Sequence, residues 1–147
     1  ILGGSGMNSR LNLALREKHG FVYSIAAQFV PFTDTGLFVI SFGTEPSQMK
    51  KGVALVKQEL KKLCDEPLGV KQLASSKEQI LGQIAMAEEN NMSFMIMMAR
   101  NLLDQGRVTS LEEIFERVKG TSAKTLQELA NEMFSERKMS YLMMEPL

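Results

Sequence analysis

Three glycines, Gly3, Gly4 and Gly6, precede a run of helical spacing. That arrangement raises phosphate chemistry first, because N–H groups at a glycine-rich helix entry cradle anions. The completing residues are missing. A P-loop needs a lysine and a hydroxyl residue after its last glycine, where this chain has Met7 and Asn8, and the glycines do not space as G-x-G-x-x-G. They read as a flexible helix entry, with Ser5 or Asn8 as cap. Metal chemistry fares no better. A zinc site takes three or four His, Cys or carboxylate ligands. The single histidine, His19, stands beside Gly20 with no carboxylate at ligand spacing, so it reads as a solvent-facing helix-end residue, and no metal site or catalytic group is expected in this chain. The single cysteine, Cys64, falls on an apolar helical stripe and reads as core rather than nucleophile. Met92, Met95, Met97 and Met98 are the densest part of 11 methionines. With no other soft ligand near them and a helical context, they read as core filling.

The elements around these residues follow from periodicity. Met7, Leu11, Ala14 and Leu15 make the stripe of an amphipathic α-helix that ends at Gly20, with Lys18 and His19 where cations suit a helix C-terminus. Phe21 to Val30 alternates as a strand with Phe21, Tyr23, Ile25, Ala27 and Phe29 on one face. A Pro-Thr-Asp-Gly turn leads to a second strand, Leu37 to Gly43, and the two form an antiparallel hairpin. Thr44 as cap and Pro46 in the first turn open a helix that runs to about Glu66. A long helix from Leu73 is disturbed near Asn90-Asn91 and continues through Met92 to Leu103. Ser110 caps one shorter helix and Thr121 or Ser122 the next. Met139, Tyr141 and Met143 alternate, so Lys138 to Glu145 is expected to close the chain as a third strand. The order is α+β, an antiparallel sheet with helices packed on one face. So much helix on so few strands leaves the sheet incomplete, as in a truncated domain.

The stretch that began with the glycines resembles the second-domain signature of the pitrilysin, insulysin and mitochondrial processing peptidase family of zinc metallopeptidases, the inverzincins. The matching residues are Leu2-Gly3-Gly4, Met7-Asn8-Ser9-Arg10-Leu11, Leu15-Arg16-Glu17-Lys18 and Gly20-Phe21-Val22-Tyr23-Ser24. Thr35-Gly36-Leu37-Phe38, Gly43-Thr44-Glu45-Pro46, a loosened motif at Leu73, Ala74, Lys77, Gln79 and Gly82, and the segment from Leu102 through Arg107 to Glu113 extend the resemblance over nearly the whole chain. Two departures stand out. Asn12 replaces the Phe of most relatives, and two extra serines separate Ala74 from Lys77.

The resemblance implies the half of a two-domain peptidase that lacks the metal. The family's zinc is held by an inverted H-x-x-E-H and a distant Glu, which this chain does not contain, so zinc belongs to the full-length protein with its ligands outside residues 1–147. The resemblance also implies that Arg16 and Tyr23, seven positions apart, reach across the cleft to the substrate backbone near the scissile bond. Both side chains can donate hydrogen bonds to a peptide carbonyl and to the oxyanion that develops from it. Asn8, Ser9 and Arg10 line the cleft with less support. The alternative is a non-catalytic scaffold subunit or inactive homologue of the same fold.

Composition agrees. A chain of 147 residues with 44% hydrophobic content suits a single domain, read as the C-terminal portion of a longer peptidase because it starts at Ile1. Lys+Arg and Asp+Glu both number 17, so net charge recommends neither nucleic acid nor an anionic membrane as partner. The longest apolar run, Phe94 to Ala99, falls far short of the roughly 20 residues that span a bilayer. The chain reads as soluble, with cytoplasm and periplasm both open. The expected partners are an N-terminal catalytic domain or subunit, a peptide or unfolded polypeptide substrate, and, through the open sheet, a second copy of the fragment.

Overall fold

A computed structural model describes residues 1–4, 6 and 8–145, with Glu88 described by its backbone alone. Ser5, one of the two candidate caps, and Met7, the first position of the apolar stripe, lie outside the described residues. The chain divides into two compact units, residues 1–66 with 127–147, and residues 67–126.

The first unit is built on a hairpin. Strand β1, Val22–Pro31, pairs antiparallel with β2, Gly36–Thr44. Ile25, Ala27 and Phe29 stand opposite Phe42, Ile40 and Phe38, so these six share one face. Helix α1, Met49–Asp65, lies against that face at Gly52, beside Phe42, while Phe134 meets Phe38 edge-on at 5.3 Å. α1 forms because Val56, Leu60 and Leu63 fall on one stripe, all buried. Pro46 opens a 3-10 turn, Pro46–Gln48, that leads into it. Thr44 is not the cap. Its hydroxyl donates to the Phe21 carbonyl across the hairpin, and Glu45 takes the N-cap position.

The first helix departs from expectation in kind. Residues Asn12–Lys18 form a π-helix, not an α-helix. Periodicity reports which side chains face the core, and Leu11 and Leu15 are indeed fully buried. It does not distinguish i→i+4 from i→i+5 bonding, because both place these two leucines inward. Gly20 ends the element as expected, at φ 60°, a left-handed conformation that glycine adopts without a Cβ penalty. The Phe21 N–H then reaches back to the Leu15 carbonyl at 2.8 Å. At the other end, the Ile1 and Leu2 carbonyls accept the N–H groups of Arg10 and Leu11 at 3.0 and 2.9 Å, taking first-turn donors that have no helical partner. Gly3 continues this strap onto β1, where its carbonyl accepts the Ala27 N–H at 3.0 Å. A Cβ on Gly3 would sit 2.7 Å from that nitrogen, so glycine is required here for close backbone approach.

The expected third strand is not formed. After a 3-10 turn, Glu136–Lys138, residues 139–145 run without a ladder partner. A strand satisfies its N–H and C=O groups only through a neighbour, and the described sheet has two members. α+β remains the class, with one strand fewer.

The second unit is helical: α2, Val70–Glu88, packs on α3, Asn91–Gln105, and on α4, Leu111–Gly120. The disturbance at Asn90-Asn91 is a full break, with the Asn90 side chain accepting the Ser93 N–H at 3.0 Å to cap α3. Ser110 caps α4 through the Glu113 N–H at 3.2 Å. The Arg107 guanidinium beside Glu113 holds its carboxyl below the usual carboxylate range. Helix α5, Ala123–Met133, starts in this unit, capped by Ser122 through the Thr125 N–H at 3.0 Å, and ends in the first. Thr121 instead gives its hydroxyl to the Arg117 carbonyl. The four methionines divide: Met92 and Met95 are 62% and 54% exposed, Met97 and Met98 are half-buried, and α3 buries no residue completely.

Candidate functional site

The site begins at an irregularity of the ladder. Val22 pairs with Thr44 and Ser24 with Gly43, so Tyr23 is an extra residue on β1 without an opposite number. A bulge of this kind re-aims a side chain, and it explains why Tyr23 leaves the face of Ile25, Ala27 and Phe29 assigned to it by alternation. Its ring is 64% exposed. The Tyr23 hydroxyl donates to the Glu45 carboxylate, just beyond the end of β2. Thr44, by closing on the Phe21 carbonyl, holds this end of the ladder together beside the bulge.

Arg16 is carried by the π-helix, which packs on β1. Its side chain is exposed and makes no ion pair among the described residues. Irregular helical turns of this type recur at functional sites, where they set a side chain's direction. Lys18 follows in the same last turn. His19 stacks on Phe21 at 5.2 Å, and the Lys51 ammonium lies 5.7 Å from the Phe21 ring centroid.

The other three residues of the motif differ among themselves. Asn8 is exposed. Ser9 is 6% exposed, and its hydroxyl oxygen accepts the Asn12 side-chain N–H at 2.9 Å, so it is committed to the interior. Arg10 is half-buried. Of the five residues read from the sequence, Arg16, Tyr23 and Asn8 face outward. Sequence reasoning missed Glu45 and the bulge that brings Tyr23 to it. Gly43-Thr44-Glu45-Pro46 reads as a simple turn, and no local pattern announces a register shift 20 residues upstream.

Burial, with Asp65 adding to it, pushes the Cys64 thiol up, which disfavours the thiolate a nucleophile needs. The residues do not fit a zinc ion: His19 is occupied with Phe21, the buried Glu59 pairs with Lys62, and no group of three metal-ligating side chains converges among the described residues. A shallow cavity of about 210 Å³ beside the bulge is lined by Ser24, Ile25, Ala26, Ser41 and Phe42, with no charged group. What the surface offers is hydrogen bonding. A guanidinium has five N–H donors and no acceptor; a phenol has one donor and acceptor lone pairs.

Comparison with known proteins gives a consistent result. The profile of the family described as peptidase M16 inactive domain matches residues 1–80. An uncharacterized zinc protease, YmxG, of Bacillus subtilis is 30% identical over 136 residues, covering 92% of this chain and 33% of the relative. The mitochondrial-processing peptidase subunit alpha of Neurospora crassa is 28% identical over 131 residues, covering 86% of this chain and 23% of the relative. A crystal structure of a peptidase M16 inactive domain from Pseudomonas fluorescens superposes with a TM-score of 0.77 at 21% identity, over 90% of this chain and 31% of that one. The chain spans about a third of the length of the first curated relative.

Proposed function

The chain belongs to the peptidase M16 inactive-domain family, and from that premise we propose that it contributes Arg16 and Tyr23 as backbone-binding groups to the cleft of a zinc-dependent peptidase, while the catalytic machinery lies on a segment or subunit outside this chain. A non-catalytic domain of a zinc protease family needs a reason to keep polar side chains exposed at a built irregularity. Substrate contact is that reason. The observation that carries the reading is Tyr23 itself: an exposed aromatic, lifted out of the ladder by a bulge, next to a π-helix whose Arg16 points to solvent unpaired among the described residues. The substrate class is a peptide or unfolded polypeptide, since both groups address the backbone that all sequences share.

The partner is then the metal-bearing remainder of the peptidase, in line with relatives about three times longer. A zinc ion held there would polarise the scissile carbonyl and activate the attacking water, while this chain binds and orients the peptide. Nucleic acid and membrane do not enter the reading, given 17 cationic against 17 anionic residues and no helix long and apolar enough among the described residues to cross a bilayer.

The test uses the whole peptidase on an unfolded polypeptide. Arg16→Ala and Tyr23→Phe should each lower kcat/KM by about ten- to a hundredfold, the equivalent of losing one charged or well-aligned hydrogen bond. Unchanged kcat/KM in both would overturn the assignment and favour a scaffold role.

A further inference from the structure

Helix α3 is apolar on two opposite sides. With successive residues turned by about 100°, Phe94, Met97, Met98 and Asn101 fall together, and all four are half-buried. The opposite side carries Met92, Met95, Ile96, Ala99, Leu102 and Leu103, all of them exposed. No charge interrupts this outer side from Met92 to Leu103, because Ser93, Arg100 and Asp104 gather on one flank. A helix at a protein surface turns its polar side to water, and one that is apolar all round is covered on both sides. The inner side of α3 has its cover in α2; the outer side has none among the described residues.

We propose that this outer side of α3 is the docking surface for a helix of the same polypeptide, one that lies outside residues 1–147 in the metal-bearing portion of the peptidase. The proposal rests on the reading of this chain as one part of a longer peptidase, and it is independent of the roles of Arg16 and Tyr23.

The spacing selects a helix as occupant. Met92, Met95, Ala99 and Leu102 fall at i, i+3, i+7 and i+10, the pattern whose side chains interlock with those of a second helix. Ala99, between longer neighbours, leaves the gap that a partner side chain enters. The methionines suit this contact, since an unbranched thioether adjusts to the shape it meets. A strand is not recruited here, because the backbone groups of α3 are bonded within the helix.

The size of the patch makes the occupant a tethered one. Six side chains along one helix amount to a few hundred Å², short of the roughly 800 Å² that each partner buries in a stable complex of separate chains. The pattern fills fewer than two heptads, where a self-sufficient coiled coil takes about three or more. A second copy meeting α3 with α3 therefore gains too little to stay. A segment of the same polypeptide is present at roughly millimolar effective concentration, so a modest contact holds it. Interfaces between domains of one chain are as small as about 600 Å². Relatives have the length for such a segment, since this chain covers 33% of the first of them.

The test follows methionine oxidation in the whole peptidase, with dilute peroxide and mass spectrometry reading each thioether separately. Met92 and Met95 should oxidise at least about tenfold more slowly than in the urea-unfolded protein, because susceptibility follows exposure. Ala99→Lys puts a charge in the middle of the seam and keeps a good helix former at an exposed position, so it should return both to within about twofold of the unfolded rate. Asp104→Lys, the same side chain placed on the flank, should leave them protected. In parallel, a benzophenone amino acid at position 99 should crosslink on illumination to a residue outside 1–147, with no increase in mass on a denaturing gel. Oxidation of Met92 and Met95 in the unaltered protein at the unfolded rate would overturn the proposal. So would a crosslinked species of doubled mass, which would make a second copy the occupant, or a crosslink to added unfolded polypeptide, which would make the patch a substrate surface. Crosslinks confined to residues 1–147 would overturn it as well. None of these outcomes reads turnover, so the docking of α3 and the substrate contacts of Arg16 and Tyr23 stand or fall separately.

Discussion

Asn12 stands where the resembled family carries phenylalanine, and the interior tolerates it for a specific reason. It is buried, and its amide donates to the Ser9 hydroxyl, itself buried, at 2.9 Å. Each satisfies the other, so neither incurs the cost of an unpaired polar group. Asn12→Ala should therefore lower stability by about 1–3 kcal/mol in urea denaturation, because it strands the serine hydroxyl and opens a void. The double change with Ser9→Ala should cost less than the two single changes added together, as coupled partners do. A single-site effect below about 0.5 kcal/mol would show that the pair contributes nothing. At this scale the sequence identified Arg16 and Tyr23 as residues to single out through the family motif, but it could not reveal Ser9 as interior or Glu45 as the tyrosine's partner. Both depend on which atoms the fold brings together across three and 22 positions.

Helices were legible where local chemistry decides them. Ser110 followed by Glu113 is a capping pattern, and the Ser110 side chain does accept the Glu113 N–H. Ser110→Ala should lower stability by about 1 kcal/mol in thermal unfolding, and Ser110→Asp should restore it, since aspartate caps as well as serine. No change with alanine would place the start of α4 under the control of packing instead. Strands were legible only in part. The alternation of Met139, Tyr141 and Met143 is that of a strand, yet the segment is tied down by side chains, with Lys57 paired to Glu136 at 3.2 Å and lying 5.1 Å from the Tyr141 ring centroid. Side-chain alternation is a property of one segment; a ladder needs two. The same distinction explains the π-helix, where inward-facing leucines were readable and the hydrogen-bond spacing was not.

At the scale of the molecule, the two-stranded sheet leaves both outer edges largely without partners among the described residues, the Gly3 contact to Ala27 being the backbone bond recorded at the β1 edge. Unpaired edges template association with another strand. Residues 1–147 by themselves should self-associate in sedimentation at micromolar concentration, and Ser41→Lys, a charge on an exposed β2 position, should shift them toward monomer. A concentration-independent monomer before the substitution would show the edges to be protected. Met92 and Met95 of α3 make the same point about the helical unit, since apolar helical spacing alone predicts core and the described chain leaves these two uncovered. By itself the sequence determined the family, the α+β class and the caps at Ser110 and Ser122, because each follows from residue types at fixed local spacing. Only the tertiary structure decided the bulge at Tyr23, the partner of its hydroxyl, the unformed third strand and the direction of the methionines. Those depend on atoms distant in sequence meeting, or failing to meet, in space.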